Sequence, residues 1–219
     1  MRKLIFLIAI PALHAAEPSV PCTTPQAGGD LLMKGNRDWV AAKLHHPNQT
    51  RERRQEIAAH QAPFAVVLSC SDSRVPPEAV FDRGAGDLFV IRVAGNIVDE
   101  EAAGSIQYAV EVQKYTKLIV VLGHQRCGAV DAAVRGVPLP EPLASLVKSI
   151  RPAVNKSHGW PGDPLENAID ANIHIVGDQL QKMFANHGVV VMKKRYSLDT
   201  GEVTDPQPWR QWNLPRRRR

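Results

Sequence analysis

The chain has 219 residues, of which 44% are hydrophobic, and its formal net charge is +5. This length suits one domain with a substantial core, and the apolar content excludes a chain that is disordered throughout. Three cysteines are too few for a secreted fold that depends on disulfide bonds.

The first sixteen residues are typical of a secretory signal peptide. Arg2 and Lys3 precede the apolar stretch 4–10, and small residues follow at the predicted cleavage region. The stretch is too short to span a bilayer, so we expect a periplasmic or secreted protein without a stable membrane anchor. The alternative, an apolar helix that packs on the core, is disfavoured by Pro11, which would break that helix.

Proline and glycine are frequent in residues 17–29, which we interpret as a leader. It contains Cys22, which either pairs between chains or stays free. A catalytic domain is predicted over residues 30–205. Asp30 is expected to cap its first helix, which runs to about Leu44, and a second helix is expected from Thr50 to about His60.

The centre of the chain alternates continuous apolar runs with helical patterns. The runs cover residues 64–69, 88–93 and 118–122, and a helix is predicted over 99–115. This alternation indicates an α/β fold with a mostly parallel central β-sheet flanked by helices.

The remaining elements are predicted nearer to the carboxyl end. They are a short helix at 143–150, an amphipathic helix at 165–185, and a closing hairpin of 189–196 with 202–204 at the sheet edge.

Residues 206–219 form a basic tail that ends in four arginines. No aromatic residues lie between these arginines, and exported proteins rarely meet nucleic acid, so we expect a solvated tail and no nucleic-acid partner.

Two short motifs follow the first and third apolar runs. The first is Cys70-Ser71-Asp72-Ser73-Arg74 and the second is His124-Gln125-Arg126-Cys127. Ligands of parallel sheets collect at the carboxyl ends of the strands, so two thiolates, an imidazole and a carboxylate should converge there. This donor set suits tetrahedral Zn²⁺, and the carboxylate is the one ligand that a nearby cation could draw away.

The pattern Cys-x-Asp-x-Arg followed by His-x-x-Cys resembles the signature of β-class carbonic anhydrases. The segments 86–96 and 105–110 are also similar to that family, and the likeness covers about residues 31–198. The resemblance implies zinc-dependent, reversible hydration of carbon dioxide to bicarbonate and a proton by zinc-bound hydroxide. In this interpretation Cys70, His124 and Cys127 are permanent ligands, while Asp72 leaves the metal when Arg74 draws it away.

The resemblance also implies a substrate pocket and an assembly. The pocket residues would be Gln61, Phe89, Ala94, Tyr108 and Gly128, some of them contributed by the partner subunit. Phe89 and Tyr108 could equally be ordinary core residues. The implied assembly is a homodimer or homotetramer in which the N-terminal helices pack on a partner subunit.

Members of the bicarbonate-regulated branch of the family have a tryptophan three residues before the first cysteine. Val67 stands there in this chain, and Arg92 lacks that companion. We therefore expect a site that bicarbonate does not hold shut. Three histidines could shuttle protons, although surface or helix-packing roles suit each of them better: His158, His174 and His187.

Three alternative functions stay open on the sequence. One is a closed zinc site that only stabilises the fold, against which Arg74 beside the single carboxylate argues. Another is hydrolysis of a related heterocumulene such as carbon disulfide. The third is a zinc-storage or redox-sensing protein that uses Cys70 and Cys127.

Overall fold

The computed structural model describes residues 24–114 and 116–208. The predicted signal peptide, Cys22 and the four terminal arginines lie outside the described residues.

A five-stranded sheet forms the centre of the protein, in the order β2-β1-β3-β4-β5. The strands are β1 Ala65–Ser69, β2 Leu88–Arg92, β3 Leu118–His124, β4 Val190–Tyr196 and β5 Val203–Thr204. The first four are parallel, and β5 pairs antiparallel with β4 at the edge. The predicted α/β class, the mostly parallel sheet and the closing hairpin are therefore confirmed.

Helices cover both faces of the sheet. Their bounds are α1 Pro25–Val40, α2 Arg51–Glu56, α3 Pro77–Val80, α4 Glu100–Gln107, α5 Gly128–Arg135, α6 Leu143–Ser157 and α7 Pro164–Met183. A π-helical turn over Tyr108–Val112 continues α4. The sequence interpretation missed α3 and α5 and made α6 too short. Within the described ranges no helix combines the length and apolarity needed to cross a membrane.

Alternate residues of the central strands enter two separate cores. Val66 and Ile119 pack with α4, α5, α6 and α7 on one face, whereas Val67 and Val120 pack with α1 and α3 on the other. Strands that are buried on both faces read as unbroken apolar runs, which is why the sequence predicted β1 and β3.

The first helix begins earlier than predicted. Thr24, rather than Asp30, caps α1 by accepting from the N–H of Ala27, and proline stands at the first turn. Residues 25–29, assigned to the leader from composition, are helical. A Cβ on Gly28 would lie 3.2 Å from Leu118 Cδ2, so these glycines let the helix pack closely on the sheet. The packing of the N-terminal helices on a partner subunit stays a prediction.

Candidate metal centre

The two predicted motifs meet at the carboxyl ends of β1 and β3. Cys70 follows β1, His124 is the last residue of β3, and Cys127 directly precedes α5. All three are buried, and their candidate ligand atoms lie within 4.8 Å of one another. The neighbouring strands are paired with Ser69 opposite Leu122, and this register brings the cysteine and the histidine together.

The geometry fits a tetrahedral metal ion. The Sγ atoms of Cys70 and Cys127 are 3.9 Å apart, and two thiolates on one zinc, at bonds of about 2.3 Å, would be separated by about 3.8 Å. His124 Nδ1 lies 2.9 Å from the carbonyl oxygen of Gln125, to which it must donate. The lone pair is then on Nε2, a buried atom without a hydrogen-bond partner in the described part of the chain. A metal ion bound by this nitrogen and the two thiols would explain why Nε2 is buried without a partner among the described residues.

Backbone contacts fix the first half of the centre. The N–H of Gly95 donates to Cys70 Sγ at 3.3 Å. Arg92 donates from Nε to the carbonyl of Cys70 at 3.0 Å and from its terminal nitrogen to the carbonyl of Asp72 at 2.5 Å. Sequence reasoning missed both roles, although a Gly-Asn pair directly after an apolar run is a turn signal that marks the position of Gly95.

Asp72 lies beside the three-residue cluster and is paired with Arg74. Its Oδ1 accepts from the backbone N–H and the Nε of Arg74 at 3.0 and 2.9 Å, and its Oδ2 accepts from the terminal nitrogen at 2.7 Å. Oδ2 also lies 3.8 Å from His124 Nε2. The Asp72 carboxylate thus lies near His124 Nε2, and the Arg74 guanidinium holds the carboxylate in place.

The charge state favours a bound cation. The hydrogen bond from the Cys127 thiol lowers the pKa of Cys70, and the same contact raises the pKa of Cys127. The side chain of Arg74 holds the pKa of Asp72 well below its usual range. Burial opposes protonation of His124, but the adjacent Cys70 thiolate outweighs it and raises the pKa of the imidazole. A thiolate and a carboxylate therefore stand in the centre near neutral pH.

The five predicted substrate residues fall into two groups. Ala94 precedes Gly95, and Gly128 follows Cys127, so these two flank the cluster. Gln61 and Tyr108 instead line a cavity of about 380 Å³. Gln61 precedes β1 and Cys70 follows it, which places them at opposite ends of a five-residue strand, about 16 Å long.

Phe89 belongs with the second group. It is half-buried on β2, and its ring centroid lies 6.4 Å from that of Tyr108. Within one chain, Gln61, Phe89 and Tyr108 form a surface away from the cluster.

Two of the candidate proton shuttles have partners elsewhere in the fold. His174 Nε2 lies 2.9 Å from the carbonyl oxygen of Gln207, and His187 Nε2 lies 3.2 Å from a carboxylate oxygen of Glu111. Both contacts suit the packing roles that were favoured over proton transfer.

Comparison with known proteins agrees with this geometry. A family profile described as "Carbonic anhydrase" matches residues 65–203. The chain is 48% identical over 118 residues to "Carbonic anhydrase 2" of Mycobacterium tuberculosis. The aligned segment covers 54% of this chain and 56% of the relative. It is 44% identical over 138 residues to a carbonic anhydrase of Mycolicibacterium smegmatis, and this alignment covers 63% of this chain and 66% of the relative. The matches thus span between about half and two thirds of these relatives.

Solved structures share the fold. A β-carbonic anhydrase of Coccomyxa, in complex with acetazolamide, is 26% identical with a TM-score of 0.62, covering 80% of this chain and 84% of its own. One of two tetrameric β-carbonic anhydrases of Sordaria macrospora has a TM-score of 0.65 at 22% identity, covering 80% and 94%. At that identity the second similarity shows the fold alone.

Proposed function

Since the chain belongs to the β-carbonic anhydrase family, we propose that it catalyses the reversible hydration of carbon dioxide to bicarbonate and a proton. Zinc would be held by Cys70, His124 and Cys127. The observation that carries the proposal is a buried cluster beside the Asp72–Arg74 pair. It contains two thiols and an imidazole nitrogen that has no hydrogen-bond partner among residues 24–114 and 116–208.

Zinc bound to these three residues would lower the pKa of a water molecule and supply a nucleophile at neutral to mildly alkaline pH. Arg74 holds the Asp72 carboxylate in a charge-assisted pair and would thereby keep it off the metal, so that water could bind there. Asp72 Oδ2 lies 3.8 Å from His124 Nε2, so the carboxylate would stand close to a water molecule held by this centre. Its remaining lone pair would accept a hydrogen bond from that water and orient it toward carbon dioxide.

The active unit we propose is a dimer or larger assembly. Gln61 and Tyr108 lie away from the cluster of their own chain, so they would serve the cluster of a second subunit. Mixing Gln61→Ala and Cys70→Ala chains under conditions that exchange subunits should restore activity, because each mixed dimer contains one intact site. Mixtures that stay as inactive as their components would contradict shared sites.

The test of the function is stopped-flow carbon dioxide hydration together with zinc analysis of the purified chain. We expect one zinc per chain and rapid turnover, and alanine at Cys70, His124 or Cys127 should remove both. A His124→Ala chain with full zinc and full turnover would refute the ligand assignment. Zinc without turnover would favour storage, and turnover of carbon disulfide alone would favour heterocumulene hydrolysis.

A further inference from the structure

The loop that joins the two candidate ligands of β3 and α5 contains a residue in an unfavourable conformation. Arg126, between His124 and Cys127, has a φ of +51°. A side chain with a Cβ rarely adopts this left-handed region, so surrounding contacts must maintain it. The direction in which the chain leaves Arg126 determines where Cys127 lies relative to His124.

Glu166 supplies the contact to the backbone of this residue. Its Oε1 accepts from the N–H of Arg126 at 3.0 Å. Glu166 stands in the first turn of α7, where the Asp163 side chain caps the helix by accepting from the N–H groups of Leu165 and Glu166. The carboxylate that reaches the loop therefore extends from a fixed helix end.

Two linked ion pairs hold the other carboxylate oxygen of Glu166. Oε2 pairs with Arg195 at the end of β4, and the second terminal nitrogen of Arg195 lies 3.0 Å from Oδ2 of Asp170. Asp170 is only 2% exposed. Because these partners come from α7 and β4, both of which pack in the core, the Glu166 carboxylate has little freedom to turn away from the loop.

The other contact of Arg126 is of a different kind. Its guanidinium makes two bonds of 2.9 and 2.7 Å to Asp199. Both side chains are about half exposed or more, and exposed ion pairs contribute little. Of the two contacts of Arg126, the one with Glu166 acts on its backbone, and on the preceding residue the N–H of Gln125 donates to the Tyr196 carbonyl at 3.0 Å.

We infer that Glu166 is a positioning residue that sets the spacing of His124 and Cys127 for the metal by holding the backbone of Arg126. This rests on the proposed function only for the identity of the ligands. Glu166 touches neither the metal position nor the substrate, and it acts through the loop.

Two conservative variants separate reach from charge. Glu166→Gln keeps an oxygen within reach of the Arg126 N–H but loses the charge and turns its NH₂ group toward Arg195, whereas Glu166→Asp keeps the charge but is one methylene too short. Outer partners of metal ligands typically change metal affinity 10- to 100-fold. We expect Glu166→Asp to weaken zinc binding by about tenfold, as measured by competition with a chromophoric chelator, and Glu166→Gln to lose less, because its oxygen still reaches the Arg126 N–H.

Cobalt substitution gives a second readout that a general loss of stability would not move. The visible bands of tetrahedral Co²⁺ report the angles between its ligands, so they should shift more in Glu166→Asp than in Glu166→Gln. Asp178→Ala is the matched control, since it removes another α7–β4 ion pair, the one with Lys193, and should change neither readout. Unchanged affinity in Glu166→Asp, an equal loss in Glu166→Gln, or an equal loss in Asp178→Ala would overturn the inference.

Neither readout depends on turnover. A chain that binds cobalt through thiolates but hydrates no carbon dioxide would end the proposed function and leave this inference standing. Conversely, active enzyme with identical cobalt spectra in all four proteins would end the inference and leave the function intact.

Discussion

Replacing Gly95 by alanine should destabilise the protein and weaken its metal centre together. Gly95 has a φ of +72°, and a Cβ there would lie 2.7 Å from Ile150 Cδ1. The left-handed conformation costs an alanine about 1–2 kcal/mol, and displacing the Ile150 methyl group adds about 1 kcal/mol. The backbone cannot simply turn, because the Asn172 amide donates to the Gly95 carbonyl at 2.8 Å. We therefore expect a loss of about 2–3 kcal/mol in the free energy of unfolding.

The measurement is urea denaturation of the metal-free protein, followed by zinc competition with a chelator. Zinc affinity should fall because any shift of residue 95 lengthens the hydrogen bond that its N–H donates to Cys70 Sγ. Gly104→Ala is the matched control: nothing lies within 4 Å of its added Cβ, and it stands inside α4, so it should stabilise the chain by about 1 kcal/mol. A Gly95→Ala protein as stable as the unmodified chain would refute the conformational argument.

Three further outcomes are expected. Arg74→Ala should keep zinc but lose turnover by about 100-fold, the scale of misplacing a group by about 1 Å, and a fully active variant would remove the role of the pair. Asn36→Ala should cost about 3 kcal/mol in urea denaturation, because Asn36 makes three bonds to the backbones of Val80, Gly201 and Val203; a loss under about 1 kcal/mol would show that water replaces them. Hydration activity should rise through mildly alkaline pH, since two thiolates weaken the pull of zinc on bound water, and a plateau well below neutrality would contradict this.

The strands and the ligand motifs were predictable from sequence because each rests on a local signal. The strands that end at Ser69 and at His124 are buried on both faces, and such strands need no alternation to be recognised. Parallel pairing then places the residues after them at one edge, which is how Cys70 and His124 could be assigned to one centre.

Features that depend on distant contacts were not predictable in the same way. The glycines of α1 looked like a leader because composition does not reveal that Met192 packs against Gly29. Glu166 is 40 residues from Arg126 in sequence, and no local sequence pattern around either residue predicts their contact. The split of the substrate residues likewise follows from strand direction, since Gln61 precedes the strand that Cys70 follows.

The pairing of β1 with β3 has a consequence for the order of folding. Cys70 and Cys127 are separated by 57 residues along the chain, and they meet only when Ser69 lies opposite Leu122. Closing so long a loop is an entropic cost that must be met before the contact contributes, and parallel strands are slow to form for this reason. In the unfolded chain an ion would therefore bind near one thiol or the other, because Cys70, His124 and Cys127 are not yet held together. We therefore expect the metal to bind late and to stabilise a sheet that the apolar strands have already assembled.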